Sequence, residues 1–238
     1  MQTGRKDKNG MTRGVARIPV YLEIGSKRIF AGALDWPGWS RSGRDEAAAL
    51  TSLLAYASRY ARAVRPARLG FQPPSDASLL VVAERLKGDA TTDFGAPGAV
   101  PALDMKPVDE EELRRMLGLL RACWQTLDQA AEAARGKALR TGSRGGGRNP
   151  TAILRHALAA DQAYVSRLGW KAPALPDEPR RAPTRLRSEI EAALAAAVRG
   201  EIPTKGPRGG IRWSPRTFVR RLAWHALDHA WEIEDRLV

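Results

Sequence analysis

The chain contains three histidines, His156, His225 and His229. Two of them belong to a stripe, Phe218, Leu222, His225, His229 and Ile233, whose steps of three or four residues trace one face of a helix. Both therefore stand where burial would select apolar side chains. One turn, about 5.4 Å of rise, separates them, which lets two imidazoles lean onto one ion at nitrogen–metal distances of about 2.0–2.1 Å. His156 lies near the start of another expected helix. If that helix packs with His156 level with the pair, the three nitrogens supply one face of a coordination sphere. Positions then stay open for water or substrate, as catalytic sites require. The plainer alternative is that the histidines hydrogen-bond inside a helix bundle. Three imidazoles suit zinc, nickel, copper or iron, so the ligand types alone do not choose the metal.

Other residues narrow the chemistry. Asp161, Asp228, Glu232 and Glu234 are the carboxylates close to the histidines in sequence. Asp161 is the candidate catalytic residue, expected to orient a ligand or move a proton, because a metal-bound imidazole usually gives its other N–H to a partner. A zinc-peptidase mechanism is excluded: Ala226 stands where an HExxH helix needs its general base. Cys123 is the single cysteine, so there is no intrachain disulfide, and its neighbours Leu120, Trp124 and Leu127 mark it as a small buried hydrophobe. Trp224 and Trp231 flank the histidines but belong to other faces of their helix, where packing is the expected role. Trp170 and Trp213 fall in or near loops, where they could wall a pocket.

Four helices are needed to hold these residues. Asp109, with Glu112 three residues on, forms a capping-box pattern ahead of a helix to about residue 134. Residues 135–148 have the glycine-rich, basic composition of a flexible loop. That loop follows a helix and lacks a Gly-Lys-Ser/Thr ending, so a mobile loop is expected rather than a phosphate cradle, with anion-binding amides only at the helix start Asn149-Pro150. Asn149-Pro150 then caps the helix that carries His156 and ends near Gly169. A proline-rich crossover over 173–183 leads to a helix capped by Thr184. A loop over 200–212 leads to Ser214-Pro215, which caps the helix of His225 and His229.

The N-terminal half reads differently. Val20, Leu22 and Ile24 alternate before Gly25-Ser26, and Ile29-Phe30-Ala31 follow, which predicts a hairpin. The turn-rich Asp35-Trp36-Pro37-Gly38-Trp39 comes next. A helix then runs to about residue 64, with acidic residues leading and arginines closing it, followed by a strand over 79–83. The expected organisation is a flexible basic tail over 1–17, a small α/β domain over 18–95, a linker over 96–107 and a four-helix bundle over 108–238, an α+β chain.

The net charge of +13 and a pI near 10.6 could serve nucleic acid, but the arginines are scattered over polar helix faces and loops, as on a solvated basic surface. No secretory signal or membrane-spanning stretch is evident, and a reducing, cytoplasmic location is the expectation.

Two resemblances add to this reading. Leu154-Arg155-His156-Ala157-Leu158 and the run from Trp224 to Ile233, with its HxxxH spacing, resemble the metal-binding helices of the DinB/YfiT superfamily over about residues 107–238. The resemblance implies a bundle that binds zinc, nickel or a similar ion through His156, His225 and His229. It also implies relatives that transfer or isomerise substrates with low-molecular-weight thiols such as bacillithiol or mycothiol. Phe30-Ala31, Asp35 to Trp39, Ser42-Gly43 and Glu46-Ala47-Ala48 resemble the small α/β fold of HicB-like antitoxin domains over residues 15–65. A DNA-binding appendage is lacking, so antitoxin function is not carried across.

The resulting expectation is a metal-dependent enzyme of the DinB/YfiT type. It would use a divalent ion, zinc or nickel first, and a low-molecular-weight thiol cosubstrate, and act on a small-molecule thiol or acidic substrate. Neither membrane nor nucleic acid is an expected partner, and a homo-oligomer is an option. The alternative is a non-enzymatic, metal-stabilised module that grips a protein partner.

Overall fold

A computed structural model describes residues 17–141, 147–172, 174 and 181–238. Nearly all of the basic tail, the centre of the first glycine-rich loop and most of the proline-rich crossover lie outside the described residues.

The predicted hairpin is present. Strand β1 (Ile18–Ile24) turns at Gly25, whose N–H donates to the Arg28 carbonyl, and pairs antiparallel with β2 (Ile29–Ala33), Val20 opposite Ala33 and Ile24 opposite Ile29. A short strand β3 (Ser40–Gly43), not evident from the sequence pattern, lies antiparallel to β2. The later strand, β4 (Leu80–Lys87), is longer than its apolar run and lies parallel to β1, giving the order β3-β2-β1-β4. β1 is therefore interior, and its alternation fails at the centre. Tyr21 and Glu23 are as buried as Val20 and Leu22 because both faces of the strand are covered. Glu23 is satisfied by the N–H groups of Gly98 and Ala99 and the Thr92 hydroxyl, which ties the chain after the short helix α3 (Ala90–Phe94; numbered in chain order) across the sheet.

The helix expected after β3 is broken into α1 (Glu46–Ala55) and α2 (Ala57–Val64) at Tyr56. The Asp45 carboxylate caps α1 by accepting from the Ala48 N–H at 2.7 Å. Gly43 is required at the entry, because a Cβ there would stand 2.3 Å from the Ala49 nitrogen. The Trp-Pro-Gly-Trp turn folds onto these helices. The Trp39 indole donates to the Leu53 carbonyl at 2.9 Å and its ring stacks on Tyr60, whose hydroxyl donates to the Pro37 carbonyl.

Four longer helices follow: α4 (Glu110–Ala133), α5 (Pro150–Leu168), α6 (Arg181–Val198) and α7 (Pro215–Arg236). All four pack against one another. Asp109, Asn149 and Ser214 cap their helices as their positions predicted. The capping box at α4 is only half made, because the Glu112 carboxylate is taken by Arg216 of α7 at 2.7 Å and does not return to the cap.

One contiguous apolar cluster runs from the sheet through α1 and α2 into α4–α7. α7 is its axis. Trp224 meets Phe30 edge-on at 6.3 Å, Trp231 meets Tyr56 at 4.9 Å, and Arg59 binds Asp235 and Glu234. Gly38, at φ +94°, lets the β2–β3 turn lie directly on α7, where a Cβ would stand 3.1 Å from that of Ala223. Arg220 reaches from α7 to the carbonyls of Ala33 and Leu34 and to the fully buried Asp104 of the 96–107 segment. No helix among the described residues is long and apolar enough to cross a membrane.

Candidate metal centre

The periodicity of α7 puts His225 and His229 on its inner face, 6% and 7% exposed, among Leu222, Ala226 and Ile233. α5 packs against α7 and brings His156 to the same point from the surface side, where its side chain is exposed. The three ring centroids are separated by 4.5 Å (His225–His229), 5.0 Å (His156–His229) and 5.3 Å (His156–His225). One nitrogen from each ring lies within 4.8 Å of the other two.

The two Nε2 atoms of α7 face each other at 3.1 Å. Two nitrogens bound to one ion at about 2.0–2.1 Å and subtending about 100° would be separated by about that distance. His229 Nδ1 lies 2.8 Å from Glu232 Oε2, so its N–H donates to the carboxylate and its Nε2 lone pair points to the centre. Glu232 is in turn held through Oε1 by Arg236 at 2.8 Å. Arg236 also donates to the carbonyls of Arg140 and Arg148, so one guanidinium joins the histidine support to both flanks of the first glycine-rich loop. Among the described residues, His225 Nδ1 is buried without a hydrogen-bond partner and a carboxylate reaches only His229 of the three histidines.

The electrostatics favour neutral imidazoles. Burial, then the neighbouring His229 and His156, and then Arg221 and Arg148 push His225 down to about 2. Burial, His229 and Arg148 also lower His156. The Glu232 carboxyl is lowered, chiefly by its hydrogen bond from His229. Neutral rings at His156 and His225, with one nitrogen of His229 at the same point, are what a borderline metal ion requires, so the donor set fits one. Three histidines holding an ion would leave coordination positions for a small molecule.

Asp161 behaves differently from its expected role. It lies on the core side of α5, buried, with Arg187 of α6 and the Trp124 indole of α4 as its polar neighbours. Desolvation pushes its carboxyl up to about 7. Among the described residues no hydrogen bond joins it to a histidine; Glu232 makes that contact. The His229–Glu232–Arg236 relay has a sequence signal in its i,i+3 and i,i+4 spacing on one helix, and Arg236 was not singled out from it. Asp228 instead pairs with Arg41 of β3 at 3.0 Å. Tyr164, also not anticipated, has its ring 5.8 Å from His225 and 5.3 Å from Trp213, which puts that loop tryptophan one ring away from the centre. Trp170 is turned to Glu189 of α6. Cys123 is fully buried and its thiol is pushed well up by burial, which rules it out as a nucleophile.

No known protein family, curated protein or solved structure matches the chain.

Proposed function

We propose that the protein is a metal-dependent enzyme of the DinB/YfiT type, a thiol-dependent S-transferase or isomerase with a divalent ion, zinc or nickel first, on His156, His225 and His229. The observation that carries this reading is the convergence of three imidazole nitrogens within 4.8 Å, two from the buried face of α7 and one from the exposed face of α5. A divalent ion bound there would lower the pKa of a thiol or water sharing it, and so supply a nucleophile at neutral pH that the chain's one buried cysteine cannot.

The chain's own residues divide the remaining work. Glu232 and Arg236 hold His229 in one tautomer and one orientation. Arg148, near enough to depress His225, adds positive charge beside the centre suited to a thiolate or an acidic substrate. Tyr164 and Trp213 supply an aromatic wall beside His225. The HicB-like N-terminal half acts in this proposal as a buttress of α7, through Phe30, Tyr56, Arg59 and the Arg220–Asp104 pair.

Metal content of the purified protein is compared with that of the H156A/H225A/H229A variant, and both are assayed for consumption of glutathione, bacillithiol or mycothiol with electrophilic acids. The expected result is about one metal per chain in the parent, none in the variant, and thiol consumption only by the parent. Equal metal content would overturn the site. A metal-loaded parent that consumes no thiol would overturn the transferase reading and leave the site standing.

A further inference from the structure

A second cluster of polar atoms lies beside the histidine centre, where the β2–β3 turn meets α7 and the Trp224 ring is 6.0 Å from that of His225. It surrounds a cavity of about 10 Å³, close to the size at which a cavity admits one small guest. Its polar lining residues are Arg220, Arg221, Trp224, Ser40 and Tyr21, with no acidic residue among them.

The two arginines differ sharply. Arg220 is saturated by Asp104 and the carbonyls of Ala33 and Leu34. Arg221 keeps Nε and Nη1 buried with no acceptor, and the Trp224 Nε1 and Ser40 Oγ are likewise buried and unpartnered. Trp224 and Ser40 are only 5% and 4% exposed, so bulk water does not serve them. The rings of Tyr164 and Trp224, 5.7 and 5.3 Å from the guanidinium carbon, attract its charge but offer no lone pair. Buried polar groups are nearly always paired, and three N–H donors with one hydroxyl around one cavity call for an acceptor. A water accepts at most two of them and brings two hydrogens that need acceptors of their own. A monatomic anion accepts from all four and neutralises the guanidinium.

We propose that this cavity is a halide site of chloride size, held by Ser40 of β3 and by Arg221 and Trp224 of α7. The site adjoins the histidine centre but uses none of the three histidines, and its anion fastens the sheet to the helix that carries two of them.

The test compares melting temperatures of the full chain in sodium chloride, sodium bromide and sodium methanesulfonate at equal ionic strength, methanesulfonate being too large for the cavity. Halide about tenfold above its Kd should raise the melting temperature by about 3–6 °C over methanesulfonate. Arg221→Met should abolish the difference. Because that variant also loses packing, crystals of the unmodified protein soaked in bromide give a second readout. An anomalous peak bounded by Ser40 Oγ, Arg221 and Trp224 Nε1 supports the site. Equal melting in the three salts, a non-scattering water in the cavity, or bromide at the histidines alone overturns it.

Discussion

Replacing Glu232 by Gln separates the role of its charge from that of its shape. In the folded chain one carboxylate oxygen accepts a hydrogen bond from His229 Nδ1 at 2.8 Å and the other accepts one from Arg236 at 2.8 Å. Gln keeps the volume and one acceptor oxygen but removes the charge, weakening both the polarisation of His229 and the ion pair that holds the carboxylate still. Partners of this kind contribute about 10–100-fold to metal affinity. Metal dissociation constants should therefore rise by that factor, about 1.4–2.7 kcal/mol. The assay is competition with a chromophoric chelator at fixed pH. Asp161→Asn serves as the internal comparison, because Asp161 meets Arg187 and Trp124 and no histidine, and it should leave the affinity unchanged. A Glu232→Gln variant with parental affinity would refute the orienting role. An Asp161→Asn variant that loses as much as Glu232→Gln would restore Asp161 to the site. The same difference should be visible in stability, since each tenfold loss of affinity removes about 1.4 kcal/mol of metal-induced stabilisation at saturating metal.

Arg220→Met should destabilise the protein by about 3–5 kcal/mol in urea unfolding, because Asp104 is left fully buried without its cation; adding Asp104→Leu should recover part of the loss. Asp161 makes stability depend on pH. With its carboxyl raised to about 7 from an ordinary 3.8, the folded state keeps a proton that the unfolded chain releases, so stability falls as pH rises from about 4 to about 7 and then levels off. The fall is bounded at about 4 kcal/mol, and Asp161→Asn should remove this component in denaturant titrations across that range. Gly38→Ala should lower stability by more than about 1 kcal/mol, since φ +94° strains any Cβ and the added methyl meets Ala223. An unchanged melting curve would show that the turn can shift off α7.

Much of the helical half was legible because its signals are local. The caps Asp109, Asn149 and Ser214 sit at their helix starts, and the inner stripe of α7 is the one its spacing marks. Where a residue's partner lies far along the chain, local signals misled. Asp161, five residues past His156, is carried around the helix into the core, and Glu112 prefers Arg216, more than a hundred residues away, to its own cap. β1 loses its alternation for the same reason, since burial of Tyr21 and Glu23 depends on segments from 96–107 and α7 that cover the second face.

The sequence by itself determined the four long helices, the caps Asp109, Asn149 and Ser214, the pairing of His225 and His229 on one inner face, and the inertness of Cys123, because each follows from spacing along one element or from residue type; Thr184, expected as a cap, lies inside α6. Only the tertiary structure decided that His156 joins the pair, that Glu232 and Arg236 support it, and that Trp224 and Trp231 lock α7 to the N-terminal sheet and helices. It also left two nitrogens of Arg221 without an acceptor, among the described residues, beside an Arg220 bound to Asp104 and two carbonyls. Those outcomes depend on which faces of separate elements meet, and that is set by packing of the whole core rather than by any local pattern.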